Sequence, residues 1–99
     1  MPQETVHVVA TFVAATGKEE ELERVLAGLV EPTRQEPGCI RYDLTRALDG
    51  SGEFVFIEEW ESAATLDAHG ESEHIRQARP RIPDLVAAPP KVARYRQIR

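Results

Sequence analysis

The stretch EEWESAATLDAHGESEHI, from Glu58 to Ile75, gathers two strand carboxylates, the only tryptophan and two of the three histidines of the chain. Histidines and carboxylates are the usual carriers of protons near neutral pH, and an indole offers a flat wall on which an aromatic ligand can stack. Direction decides which of them can act together. Glu58 and Glu59 are strand neighbours and point to opposite faces, which argues against a paired-carboxylate site. His69 and His74 lie five residues apart. On one continuous helix that spacing turns the direction by roughly 140°, unlike the i, i+4 pair of a helical zinc site. No third ligand is spaced to join them, so no metal is expected. Trp60 ends a strand row with Phe54, Phe56 and Glu58, and reads equally as a core residue or as a pocket wall. His69 follows Leu66 by three residues on the buried stripe of a helix, where a hydrogen-bonded histidine is commoner than a catalyst.

Other reactive types are more easily placed. Tyr42 shares a strand face with Ile40 and Leu44, a core position that leaves its hydroxyl available as a donor. His7 lies mid-strand in an apolar row and reads as a hydrogen-bonded or interface residue. Cys39 is the only cysteine, so no intrachain disulfide or cysteine-rich metal site forms, and it reads as a small, partly buried residue at a strand start. Gly50-Ser51-Gly52 is a hairpin turn, and no phosphate-binding or nucleophile-elbow pattern occurs.

The elements that must position these residues follow from periodicity. Val6 to Ala14 is a β-branched and aromatic run, apolar on both faces, and predicts a strand covered on both sides. Between Gly17 and Gly38, residues Leu22, Val25, Leu26, Leu29, Val30 and Thr33 form one helical stripe, with Glu19, Glu20 and Glu21 favouring the start of the helix dipole. Pro32 predicts a kink near Gly28 to Pro32. Cys39 to Leu48 alternates as a half-buried strand, and Phe54 to Trp60 returns after the Asp49 to Gly52 turn. Ser62 is a plausible N-cap for a helix through Ala63, Ala64, Leu66 and Ala68; Gly70 weakens that helix, and Ser72 is placed to cap a second short turn. Four prolines between Pro80 and Pro90 break the next region, and Lys91 to Ile98 supplies the last strand.

The order β-α-β-β-α-β is that of the ferredoxin-like plait, an α+β fold with an antiparallel sheet. One sheet face carries the helices. Because the strands are apolar on both faces, a homodimer packed sheet against sheet is expected to cover the other. A chain of 99 residues fits one domain, residues 1–99, and is short enough that association is a common remedy for a modest core. A net charge of -5 argues against nucleic-acid binding. No apolar run is long enough to span a bilayer, and MPQETVHVV lacks the features of a signal peptide, so a cytoplasmic protein is expected.

Taken together, GKEEELERVL, then EPGCIRYDL, then FVFIEEWESAATLDAH followed by Ser72 and His74, resemble the antibiotic biosynthesis monooxygenase family, in particular its small quinol-monooxygenase-like members. The resemblance runs from about Val6 to Ile98. It implies a dimeric α/β barrel-type assembly of ferredoxin-like subunits, each with an apolar pocket between helices and sheet. It also implies oxygenation of quinols or polycyclic phenols by molecular oxygen with no metal or flavin cofactor. The family tryptophan maps onto Trp60, as a stacking wall. Its helix histidines map onto His69, as base or hydrogen-bond partner, and onto His74, as an auxiliary polar group. Tyr42 would donate to a substrate oxygen. Phe56 and Leu66 lie near where polyketide-oxygenating members carry asparagine and tyrosine, and are expected to contact substrate. Haem-degrading members carry a helix histidine and a strand asparagine where this chain has Arg79 and Ala10, which disfavours haem. Gly70 replaces a bulkier apolar residue and would enlarge the pocket or loosen the helix.

Three functions compete. The first is a cofactor-independent monooxygenase acting on a phenolic aromatic, the second an isomerase or tautomerase of a small carbonyl compound. The third is a non-catalytic dimeric small-molecule-binding module. An apolar pocket favours the first, one lined with additional lysine or arginine the second, and an absent or water-filled cavity the third.

Overall fold

The computed structural model describes residues 4–99. Strands β1 (Val6–Val13), β2 (Cys39–Arg46), β3 (Glu53–Trp60) and β4 (Lys91–Tyr95) form one antiparallel sheet in the order β2-β3-β1-β4. Helices α1 (Glu19–Ala27) and α2 (Val30–Arg34) join β1 to β2, and α3 (Ala63–His69) and α4 (Glu73–Ala78) follow β3. This is the β-α-β-β-α-β plait expected from the sequence.

The helix-facing row of β1 is Val8, Ala10 and Phe12, paired across the sheet with Glu58, Phe56 and Phe54. All six are buried. The opposite row behaves differently: Val9, Val55 and Ile57 are only half-buried, Val13 is 37% exposed and Tyr95 52%. Apolar side chains on both faces therefore have helices over one face alone.

Two helix breaks position the site. The kink expected in the first helical segment is a full break: α1 ends at Ala27, and Gly28 and Leu29 separate it from α2. Pro32 then falls in the first turn of α2, where a missing N–H breaks no intrahelical bond. The second break lies at Gly70 to Ser72. Ser62 and Thr65 form a reciprocal capping box that starts α3. The hydroxyl of Ser72 donates to the His69 carbonyl at 2.7 Å as α3 closes, and α4 restarts in a new direction.

Ile40 departs from expectation. The β2–β3 register shifts between Cys39 and Arg41, so Cys39 pairs with Trp60 while Arg41 pairs with Glu59. The extra residue leaves Ile40 54% exposed instead of sharing the face of Tyr42. Beside it, Gly38 has φ +85°, and a Cβ there would lie 2.4 Å from Thr65 Cγ2. Only glycine lets the α2–β2 turn come this close to α3.

Candidate active site

A cavity of about 370 Å³ lies between the helices and the sheet. Its floor is Val8, Ala10 and Phe12 of β1, Phe56 and Glu58 of β3, and Tyr42 of β2; Leu66 and His69 of α3 form one wall. Such a space holds a small aromatic molecule, and its lining is largely apolar. The aromatic floor is continuous, with Tyr42 and Phe56 ring centroids 4.7 Å apart and Phe56 edge-on to Phe12 at 5.9 Å. Of the residues expected at the site, Tyr42, Phe56, Leu66 and His69 border the cavity. Arg79 and Arg94 also border it, but Arg94 is paired with Asp67 and Arg79 donates to the Gly70 carbonyl.

Trp60 takes a different place from that of a pocket wall. It is 0% exposed, its ring stacks at 4.8 Å on His69, and its Nε1 donates to Glu58 Oε1 at 2.9 Å. It braces two of the cavity's polar residues, Glu58 and His69, from one layer behind.

His74 does not border the cavity either, and here the spacing argument fails. His69 Nδ1 lies 2.7 Å and His74 Nε2 2.8 Å from the same oxygen, Oε2 of Glu36. Only one continuous helix would hold the two histidines on different faces. The break at Gly70 to Ser72 resets the direction, and the third group comes from the α2–β2 turn, more than thirty residues earlier. Sequence reasoning missed Glu36, although it stands three residues beyond Thr33 and so prolongs the buried stripe of the first helical segment. Thr33 belongs to the same cluster, with Oγ1 3.1 Å from His74 Nε2.

The cluster fixes the chemistry of His69. An ionised carboxylate only accepts hydrogen bonds, so the ring nitrogens facing Glu36 carry the hydrogens. A neutral His69 protonated at Nδ1 keeps its Nε2 lone pair, and Nε2 makes no hydrogen bond among the described residues. No side-chain nitrogen or oxygen sealed from solvent lacks a partner among the described residues, so Nε2 is an accessible atom of a residue on the cavity wall. It is a free acceptor in position to take a proton.

Burial shapes the two other polar groups. Desolvation pushes the Glu58 carboxyl upward, opposed in part by the Trp60 indole and by His69. Desolvation, then the nearby Glu58 carboxylate, lifts the Tyr42 phenol well above its ordinary range, with Thr33 acting in the opposite sense as a hydrogen-bond partner. Tyr42 therefore stays protonated and can donate.

Comparison with known proteins gives concordant matches. The sequence pattern described as "Antibiotic biosynthesis monooxygenase" matches residues 5–81. A Mycobacterium tuberculosis protein named "Putative monooxygenase Rv0793" is 36% identical over 84 residues, covering 85% of this chain and 82% of that protein. The Synechocystis protein sll1783 is 33% identical over 79 residues, 80% of this chain, and the match spans about half (54%) of its length. The crystal structure of PA3566 from Pseudomonas aeruginosa superposes with a TM-score of 0.93 at 32% identity, covering 100% of this chain and 99% of that one.

Proposed function

The chain belongs to the antibiotic biosynthesis monooxygenase family, and we propose that it is a cofactor-independent monooxygenase of a quinol or related phenolic aromatic. One observation carries this reading: an apolar cavity holds a histidine whose Nδ1 is tied to Glu36 and whose Nε2 is left to accept a proton. An electron-rich phenolate can itself reduce molecular oxygen, so the protein need only bind, deprotonate and stabilise charge in a dry space. His69 Nε2 takes the phenolic proton. Tyr42 donates to a substrate oxygen as charge builds, and Phe56 and Leu66 hold the ring. His74 and Trp60 act through His69, the first by sharing Glu36 and the second by stacking.

A homodimer formed through the bare sheet face accompanies this reading, supported by the half-buried Val9, Val55 and Ile57 and the exposed Val13 and Tyr95. Sedimentation at micromolar concentration should give twice the chain mass; a well-folded monomer would contradict it. We place the protein in the cytoplasm, in keeping with a free Cys39. Among the described residues no helix is long and apolar enough to cross a membrane.

A second reading, an isomerase or tautomerase of a small carbonyl compound, draws on Arg79, which borders the cavity and has no carboxylate partner among the described residues. Oxygen uptake separates the two. With a panel of quinols, with and without chelator, the wild type should consume oxygen and His69→Ala should be slower by about 100-fold or more, the usual contribution of a general base. No uptake by the wild type across the panel would sink the monooxygenase reading.

A further inference from the structure

We propose that Glu36, His69 and His74 form a capture site for a first-row divalent cation, zinc above all, and that its occupation switches off His69 as a base. The second half rests on the reading of His69 given above; the first stands on geometry alone.

The three ligand atoms lie within 4.8 Å of one another, and no other group of three histidine, cysteine or acidic side chains is drawn together this way among the described residues. They come from three separate segments: the α2–β2 turn, the end of α3 and the start of α4. Two imidazoles and a carboxylate are a borderline-soft set that suits zinc and its neighbours better than magnesium or calcium. Two of the three ligand spacings are already close to what an ion needs. A tetrahedral ion with bonds of about 2.0–2.2 Å holds its ligands roughly 3.3 Å apart, against 2.7 and 2.8 Å here. To admit the ion, each Glu36 contact opens by about half an ångström, and the two imidazole nitrogens, within 4.8 Å of each other, take up the same spacing. All three side chains are mostly buried, at 11%, 13% and 21% exposure for His69, Glu36 and His74. His74 also borders a shallow hollow on the α1–α4 side, which gives the ion a route from solvent. Arg24 and Arg81 edge that hollow, and their charge sets the affinity lower than three such ligands would reach alone.

The site lies behind the His69 ring rather than in the cavity, since neither Glu36 nor His74 borders the cavity. A cation there does not touch the substrate. Its effect passes through the imidazole. Coordination needs the lone pair of Nδ1, so the hydrogen that Nδ1 gave to Glu36 moves to Nε2 and the ring stays neutral. The accessible nitrogen, Nε2, changes from acceptor to donor, and His69 can no longer take a phenolic proton.

Titration of the metal-free protein with zinc, followed by calorimetry, should give one site per chain with micromolar affinity. Cobalt should give the visible absorption of a four-coordinate ion. Glu36→Gln and His74→Gln, each checked for native circular dichroism, should bind at least tenfold more weakly. No zinc binding by the wild type, or undiminished binding in both variants, overturns the site. Nitrogen-15 spectra of the imidazoles read the switch without any turnover: zinc should move the hydrogen of His69 from Nδ1 to Nε2. Should His69 keep its tautomer with zinc bound, the switch fails while the site stands. Where oxygen uptake is measurable, its loss should follow zinc occupancy and reverse with chelator.

Discussion

His69 divides two regions of opposite chemistry. On one side lies the cavity, built of Val8, Ala10, Phe12, Phe56 and Leu66 with Glu58 and Tyr42 set among them. On the other lies the cluster of Glu36, His74, Thr33 and Ser72, in which each polar side chain has a named partner. The dry side owes its stability to packing and shape, the polar side to mutual hydrogen bonding at short range. A single imidazole belongs to both, so the polar side can set which of its nitrogens carries the hydrogen. Substitutions that damage one side and spare the other test how far this division holds.

The largest effect should come from the packing that braces the dry side. Trp60 is fully buried, and Trp60→Ala should cost about 3–5 kcal/mol through lost burial and the void left behind. Denaturant unfolding measures it. Trp60→Phe retains most of the bulk but leaves Glu58 without its indole donor, and should cost less, about 1–2 kcal/mol. Equal losses in the two variants would show that the indole hydrogen bond, not packing, dominates.

Next in size is the polar side. Glu36→Ala strips the acceptor from two imidazoles at once and should cost about 1–3 kcal/mol, the range for stranding buried polar groups. Activity should fall further than stability implies, because Nδ1 no longer has a partner fixing the tautomer of His69. Glu36→Gln keeps an acceptor oxygen and should restore stability more completely than activity. If both properties recovered together, the cluster would be scaffolding only.

The two regions also differ in how they could be read from the sequence. The dry side was legible because it obeys short-range periodicity: alternate residues of β1 and β3, and the stripe through Leu66 and His69, needed only the strand and helix repeats. The polar side was not. Its members come from segments joined by tertiary packing, and its geometry depends on a three-residue break that a continuous-helix argument cannot represent. Trp60 shows the same limit in milder form. The strand repeat turned it inward, but could not say that His69 would stand between it and the cavity. Ile40 leaves the face that strand alternation predicts for it because one extra residue in β2 shifts the register.

Glu58 offers a subtler test, as the carboxyl of the dry side. Burial raises its pKa, so the folded protein holds this proton more tightly than the unfolded chain does. The stability it contributes is full at pH below the ordinary carboxylate value and is lost as pH rises through the raised folded value. The groups facing it are Tyr42 across the sheet, Trp60, and the more distant His69 and Glu36. Glu58→Gln removes the titration and can still accept from Trp60. The variant should therefore gain on the wild type in thermal melts as pH rises from 4 to 8. A constant gap would mean that Glu58 ionises at no net cost in the fold.

The smallest effect is expected where the two regions come nearest the sheet edge. Cys39 pairs with Trp60 across the sheet, and its thiol is pushed up first by burial and then by the carboxylates of Glu36 and Glu58. A thiol held protonated is a poor nucleophile and a poor metal ligand at neutral pH. Cys39→Ser should therefore change turnover by less than about twofold and stability by less than about 1 kcal/mol. Alkylation of the native protein by iodoacetamide should be slower than that of free cysteine. A large loss of activity or of zinc affinity in Cys39→Ser would mean that the polar region reaches into β2, with the thiol as a further ligand, and that the boundary at His69 is drawn too tightly.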